Sequence, residues 1–126
     1  MKVIAVDDDP NALAVVAEAL ESHGGHQVDL IGDPVAALDK IRSDPPDLLL
    51  VDWLMPGMSG VELLKSLSEG SANGRPKYAV MITGAPDVDL LKMVTADYGV
   101  DEIRSKPISP HVLALIFDRA EARLAD

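Results

Sequence analysis

The chain has 126 residues, enough to bury one core without staples, and a single domain spanning 1–126 is expected. Its balance of 48% hydrophobic and 25% charged residues is that of a globular protein, and the absence of cysteine excludes disulfides and thiolate metal sites, as suits a reducing cytoplasm. A net charge of −10 repels nucleic-acid phosphates and predicts no direct contact with DNA or RNA, while no apolar run approaches the roughly 20 residues of a membrane span, so no membrane partner is expected.

Met1 leads straight into the first strand-like run, Val3 to Val6, so no signal peptide is expected. A helix is predicted after Asp9-Pro10, with Leu13, Val16, Ala17 and Leu20 as its buried stripe and Gly24-Gly25 as its end. The second run, Val28 to Ile31, carries polar residues. It is followed by a helix starting at Asp33-Pro34. Leu48 to Val51 is continuously apolar, and Ser59-Gly60-Val61-Glu62 after it reads as a capping box. Glu69 to Lys77 is the longest loop. Tyr78 to Ile82 is again continuously apolar, a helix follows Pro86, and a weaker run lies at Val100 to Ser105. Ser109-Pro110 opens the last helix, whose stripe is Leu113, Ile116, Phe117, Ala120 and Leu124.

Alternation of strand and helix predicts an α/β fold, a doubly wound parallel sheet of five strands with five helices. The first, third and fourth runs are apolar throughout, as strands covered on both faces must be. The second and fifth mix in polar residues, as edge strands do. The predicted order is therefore 2-1-3-4-5, the flavodoxin-like order, whose ligand crevice opens beside the first and third strands.

Four polar signals sit at the downstream ends of these runs: Asp7-Asp8, Asp52, Thr83 and Lys106. Parallel strands gather those ends at one edge, where three carboxylates, a hydroxyl and an ammonium meet. Oxygen ligands suit Mg²⁺. A carboxylate can also accept a phosphoryl group, provided that the cation and Lys106 neutralise the like charges. Thr83 can donate to a phosphoryl oxygen, and Gly84 and Ala85 leave room for the group. For Asp9 the capping role is preferred.

Val6-Asp7-Asp8-Asp9-Pro10, Asp52-Trp53-Leu54-Met55-Pro56 with Gly60, Thr83-Gly84 and Lys106-Pro107 together resemble the receiver domains of two-component response regulators, over essentially the whole chain. The resemblance implies Asp52 as phosphoacceptor, Asp8 as a direct Mg²⁺ ligand, Asp7 acting chiefly through water, and the Leu54 backbone carbonyl as a further ligand. It implies Thr83 and Lys106 on the phosphoryl group and a cis Lys106-Pro107 bond. The implied donor is a phosphohistidine on a sensor histidine kinase or a histidine phosphotransfer protein. The excess of apolar residues Val88, Leu90, Leu91, Met93, Val94, Val112 and Leu115 fits tight packing of a broad buried face as well as a partner site; the resemblance implies a downstream protein partner met through the fourth helix, fifth strand and fifth helix. The chain would not be an enzyme beyond its own phosphorylation and dephosphorylation. The family often carries an aromatic residue three before the lysine. Here that position is Ile103, so the aromatic form of the switch is not expected, and Tyr98 lies elsewhere.

Two alternatives stand beside this reading. A phosphatase of the haloacid-dehalogenase type would use Asp7 and Asp9 as its paired aspartates, although Asn11 departs from that pattern. An unphosphorylated pseudo-receiver would only bind protein, although neither acceptor, acidic pair nor lysine is missing. A stand-alone regulator and a receiver cut from a longer protein fit equally. Apolar Leu54 and Ala85 beside the site predict slow self-hydrolysis, and Trp53 is a natural reporter. His23, His26 and His111 show no metal-ligand spacing among themselves, so surface or structural roles are expected.

Overall fold

The computed structural model describes residues 1–70, 74–84 and 88–125, with the backbone alone at 88, 90 and 94. Among these residues five strands alternate with five helices: β1 (Lys2–Val6), α1 (Pro10–His23), β2 (Gln27–Ile31), α2 (Pro34–Ser43), β3 (Leu48–Asp52), α3 (Gly60–Ser68), β4 (Tyr78–Thr83), α4 (Val88–Thr95), β5 (Glu102–Ser105) and α5 (Pro110–Ala125). The strands form one parallel sheet in the order β2-β1-β3-β4-β5, as the apolar patterning predicts.

The three continuous runs are apolar because each alternate residue serves a different face. Val3, Ala5, Leu48, Leu50, Val80 and Ile82 point to one side and pack on Val16 and Leu20 of α1 and on Leu113, Ile116 and Phe117 of α5. Ile4, Val6, Leu49, Val51, Ala79 and Met81 point to the other, against α2, α3 and Leu91 of α4. In α1 the buried stripe is Val16, Ala19 and Leu20, so Ala19 takes the place predicted for Ala17. Edge strand β2 is open to solvent along most of its length, and Val28 and Leu30 are exposed. Of the broad apolar surface predicted for α4, Leu91 is buried and Met93 exposed, while Val88, Leu90 and Val94 lie outside the described side chains. Among the described residues, no helix is long and apolar enough to cross a membrane.

The helix starts follow the predicted punctuation. Asp9 and Asp33 accept from the amides of Asn11 and Val35, with proline at the first helical turn. Ser59 and Glu62 complete the reciprocal capping box of α3, and Ser59 therefore fixes where the chain re-enters after β3. Gly24, at φ 85°, ends α1 in the left-handed region that glycine tolerates.

Candidate functional site

Register decides what meets at the carboxyl edge of the sheet. Val6 pairs with Val51, Asp52 with Ile82 and Thr83 with Ser105. Asp7, Asp52, Thr83 and Lys106 therefore end four adjacent strands at nearly one level. Asp7, Asp52 and Thr83 are buried, whereas Asp8 is exposed.

Lys106 reaches back over this edge. Its Nζ donates to Asp7 Oδ2 at 2.7 Å and lies 3.3 Å from Asp52 Oδ2. The cis Lys106-Pro107 bond is present, as the resemblance implies, and the Lys106 amide donates to the Thr83 carbonyl at 2.8 Å. Asp7 Oδ1 accepts from the Asp9 amide at 3.0 Å, which turns the chain into α1 while leaving Oδ2 for the lysine. The Asp9 side chain caps α1, as preferred from the sequence. Asp7, Asp8 and Asp52 each bring a carboxylate oxygen to within 4.8 Å of the others.

Burial raises the Asp52 carboxyl above the ordinary carboxylate range, and the Asp7 carboxylate pushes it the same way. Lys106 and the Trp53 amide oppose that shift without cancelling it. Burial lowers the Lys106 pKa, but the hydrogen bond that it donates to Asp7 and the charges of Asp52 and Asp7 outweigh it, so the ammonium is held more firmly than usual. Asp7 and Asp52 thus share one ammonium, with the Asp8 carboxylate close beside them. A hard divalent ion fits that oxygen donor set, because it would relieve the remaining repulsion.

Leu54 is 61% exposed at the rim, and Ala85, its predicted counterpart, lies outside the described residues. Trp53 is half-buried against the α2–α3 face of the core, as are Ile103, Tyr98 and Val100. Ile103, on β5, is thus partly buried against this face of the core.

Two features escape a sequence reading. A Cβ on Gly60 would lie 2.1 Å from the carbonyl oxygen of Asp52, and the Gly60 amide donates to the Trp53 carbonyl at 2.7 Å. The motif's glycine thus lets α3 close directly on the strand end carrying Asp52. The second feature is an apolar cavity of about 380 Å³ beside the carboxylates, bounded by Leu13, Val16, Leu50, Ile82 and Ile108. Only the Gly60 spacing left a trace in the sequence.

The family model described as response regulator receiver domain matches residues 3–118. The chain is a member of the response-regulator receiver family. The receiver is 34% identical to the DNA-binding response regulator MtrA of Mycolicibacterium smegmatis, over 98% of this chain and 50% of that protein. It is 32% identical to the response regulator MprA of Mycobacterium tuberculosis, over 86% of this chain and 45% of that protein. Among solved structures, a CheY-like receiver domain protein from Methanospirillum hungatei superposes with a TM-score of 0.83 at 26% identity, covering 98% of this chain and 96% of that one. The receiver spans about half the length of the curated relatives it matches.

Receivers of this family are signalling modules, which decides against the dehalogenase-type phosphatase. The expectation of no direct contact with nucleic acid is corrected by the relative MtrA, which is named as DNA-binding. Net charge was the wrong guide because it speaks only for the surface of the residues counted. It is silent on any segment to which a receiver is joined.

Proposed function

We propose that residues 1–126 form one receiver domain in which Asp52 is the phosphoacceptor and Asp7, Asp8, Asp52 and the Leu54 carbonyl hold Mg²⁺. The observation that carries this reading is the buried Asp52 carboxylate at the end of a central strand, 3.3 Å from Lys106 and within reach of two further carboxylates. The donor is a phosphohistidine. An Asp52 oxygen attacks phosphorus, the P–N bond breaks as the P–O bond forms, and the imidazole nitrogen leaves with the electron pair and takes up a proton. Bound Mg²⁺ supplies positive charge that offsets the carboxylates and the incoming phosphoryl oxygens.

Lys106 contributes the protein's own positive charge and is held in place by Asp7. Phosphorylation turns a monoanion into a more highly charged group, so the ammonium moves its attraction from Asp7 toward the phosphoryl oxygens. Thr83, at the end of β4, donates its hydroxyl to the same group. These contacts favour one of two arrangements of the surrounding loops and so change the binding surface. Where such a receiver is joined to a nucleic-acid-binding segment, the state of Asp52 sets that segment's activity. Apolar Leu54 offers hydrolytic water no base, so the acyl phosphate is long-lived.

Trp53, adjacent to the acceptor, provides the test. Mg²⁺ followed by beryllium fluoride should change its fluorescence in two saturable steps, and Asp52→Asn should remove the second. Unchanged fluorescence with binding proved by calorimetry would contradict the placement of the site.

A further inference from the structure

At the opposite edge of the sheet, where the strands begin, a second polar cluster lies away from Asp52. His23 ends α1, His26 immediately precedes β2, and Glu121 lies on α5. Their spacing in sequence hides them because the third member comes from the far end of the chain. His23 Nδ1 is 2.8 Å from His26 Nε2 and 3.3 Å from Glu121 Oε1, and His26 Nε2 is 3.8 Å from the same oxygen. A tetrahedral ion with ligand bonds of about 2.0–2.1 Å keeps its ligand atoms about 3.3 Å apart, so these separations bracket that value.

The proton inventory explains why the cluster faces a cation. His23 Nε2 is 2.8 Å from Asp118 Oδ1, and an ionised carboxylate only accepts. In the neutral form of His23 that arrangement puts the proton on Nε2 and turns the Nδ1 lone pair toward His26 and Glu121. A carboxylate behind a ligating imidazole is the usual orienting partner in metal sites. In that form Glu121 Oε1 and His23 Nδ1 are two acceptors 3.3 Å apart, a contact that favours an ion between them.

His26 has a 3% exposed side chain, and its Nδ1 lies 3.2 Å from the Met1 ammonium. Burial lowers its pKa, the Met1 ammonium and His23 act the same way, and Glu121 opposes them. These influences favour the neutral ring, the form in which an imidazole binds a metal. The rings stack at 5.0 Å and both pack on Phe117, edge-on for His23 and tilted for His26, which limits their rotation.

We propose that His23, His26 and Glu121 form a binding site for a divalent first-row transition ion of the Zn²⁺ class. The N₂O donor set suits that class rather than Mg²⁺. Exposed Glu121 leaves the fourth position open to water. The ion bridges the end of α1, the entrance of β2 and α5. With the ion on Nε2, the His26 proton moves to Nδ1, and the Met1 ammonium that now donates to Nδ1 turns away from the ring. Glu121, Asp118 and the Met1 ammonium are the other charged groups that these rings face.

Co²⁺ is the probe, added to the untagged chain in excess Mg²⁺ so that the oxygen-only carboxylate site is occupied. One equivalent should give the intense visible absorption of tetrahedral Co²⁺, lost on adding Zn²⁺. Exposed Glu121→Gln, which keeps the fold, should weaken binding by about tenfold or more, as should His26→Asn if circular dichroism shows it folded. His111→Asn should bind as the parent does. At a fixed concentration Zn²⁺ should raise the melting temperature of the parent more than that of Glu121→Gln. The proposal is overturned if no tetrahedral absorption develops, or if Glu121→Gln binds Co²⁺ and gains stability as the parent does. Neither outcome bears on Asp52.

Discussion

Gly60→Ala tests how the acceptor strand is held. Alanine normally stabilises a helix over glycine by about 1 kcal/mol, and somewhat less in the first turn. At this position the added Cβ would sit 2.1 Å from the Asp52 carbonyl oxygen, 3.0 Å from its carbonyl carbon and 3.2 Å from Val51 Cγ2. The nearest contact must open to at least 3.0 Å, and its partner is backbone at the end of a central strand. Overpacking of that kind costs about 1–3 kcal/mol, and stretching the Gly60-to-Trp53 hydrogen bond adds about 1 kcal/mol. The net expectation is a loss of about 2 kcal/mol, equivalent to a fall of about 8 °C in melting temperature for a domain of this size. Thermal and urea unfolding monitored by circular dichroism measure it. Gly74→Ala is the control, since a Cβ there meets nothing within 4 Å and its φ is not positive. A Gly60→Ala protein as stable as Gly74→Ala, or more so, would refute the reasoning.

Other outcomes follow from the charges. Because the folded Asp52 carboxyl has a raised pKa, its contribution to stability is fully present below the ordinary carboxylate value of 3.8 and is lost as pH rises through the folded value. In the absence of divalent ions, Asp52→Asn should therefore melt higher than the parent near pH 7, and the difference should vanish below about pH 4. Lys106→Met strips the cation from two buried carboxylates and should cost about 2 kcal/mol near neutral pH, less in acid, in paired denaturant titrations. Tyr78, its hydroxyl donating to Glu102, has its pKa pushed up to about 12 by burial first and then by that carboxylate. Ultraviolet titration of the folded protein should show one phenol ionising there, and Tyr78→Phe should abolish that step.

Much of this architecture is legible in the chain because the rules that specify it are local. Period-free apolar runs mark β1, β3 and β4, the polar interruptions in β2 and β5 mark edges, and Asp9, Asp33 and Ser59 cap helices through near neighbours. Sheet order then brings Asp7, Asp52, Thr83 and Lys106 to one edge without further information. What stayed hidden depends on distant partners. The role of Gly60 is set by an approach to the Asp52 backbone that no pattern encodes. His23 and His26 meet Glu121 only because α1 and α5 lie side by side. Ala19 takes the place of Ala17 in the buried stripe because α1 packs on α5 as well as on the sheet. The nucleic-acid reading failed for a different reason, since the charge of one domain does not constrain what is tethered to it.

The central claim is that Asp52, and no other carboxylate at this edge, takes the phosphoryl group. Incubation with acetyl phosphate and Mg²⁺, borohydride reduction of the acyl phosphate and peptide mass mapping locate the acceptor directly. The account predicts one hydroxylamine-sensitive adduct on Asp52, absent from Asp52→Asn. An adduct on Asp7 or Asp8, or one that persists in Asp52→Asn, would contradict it.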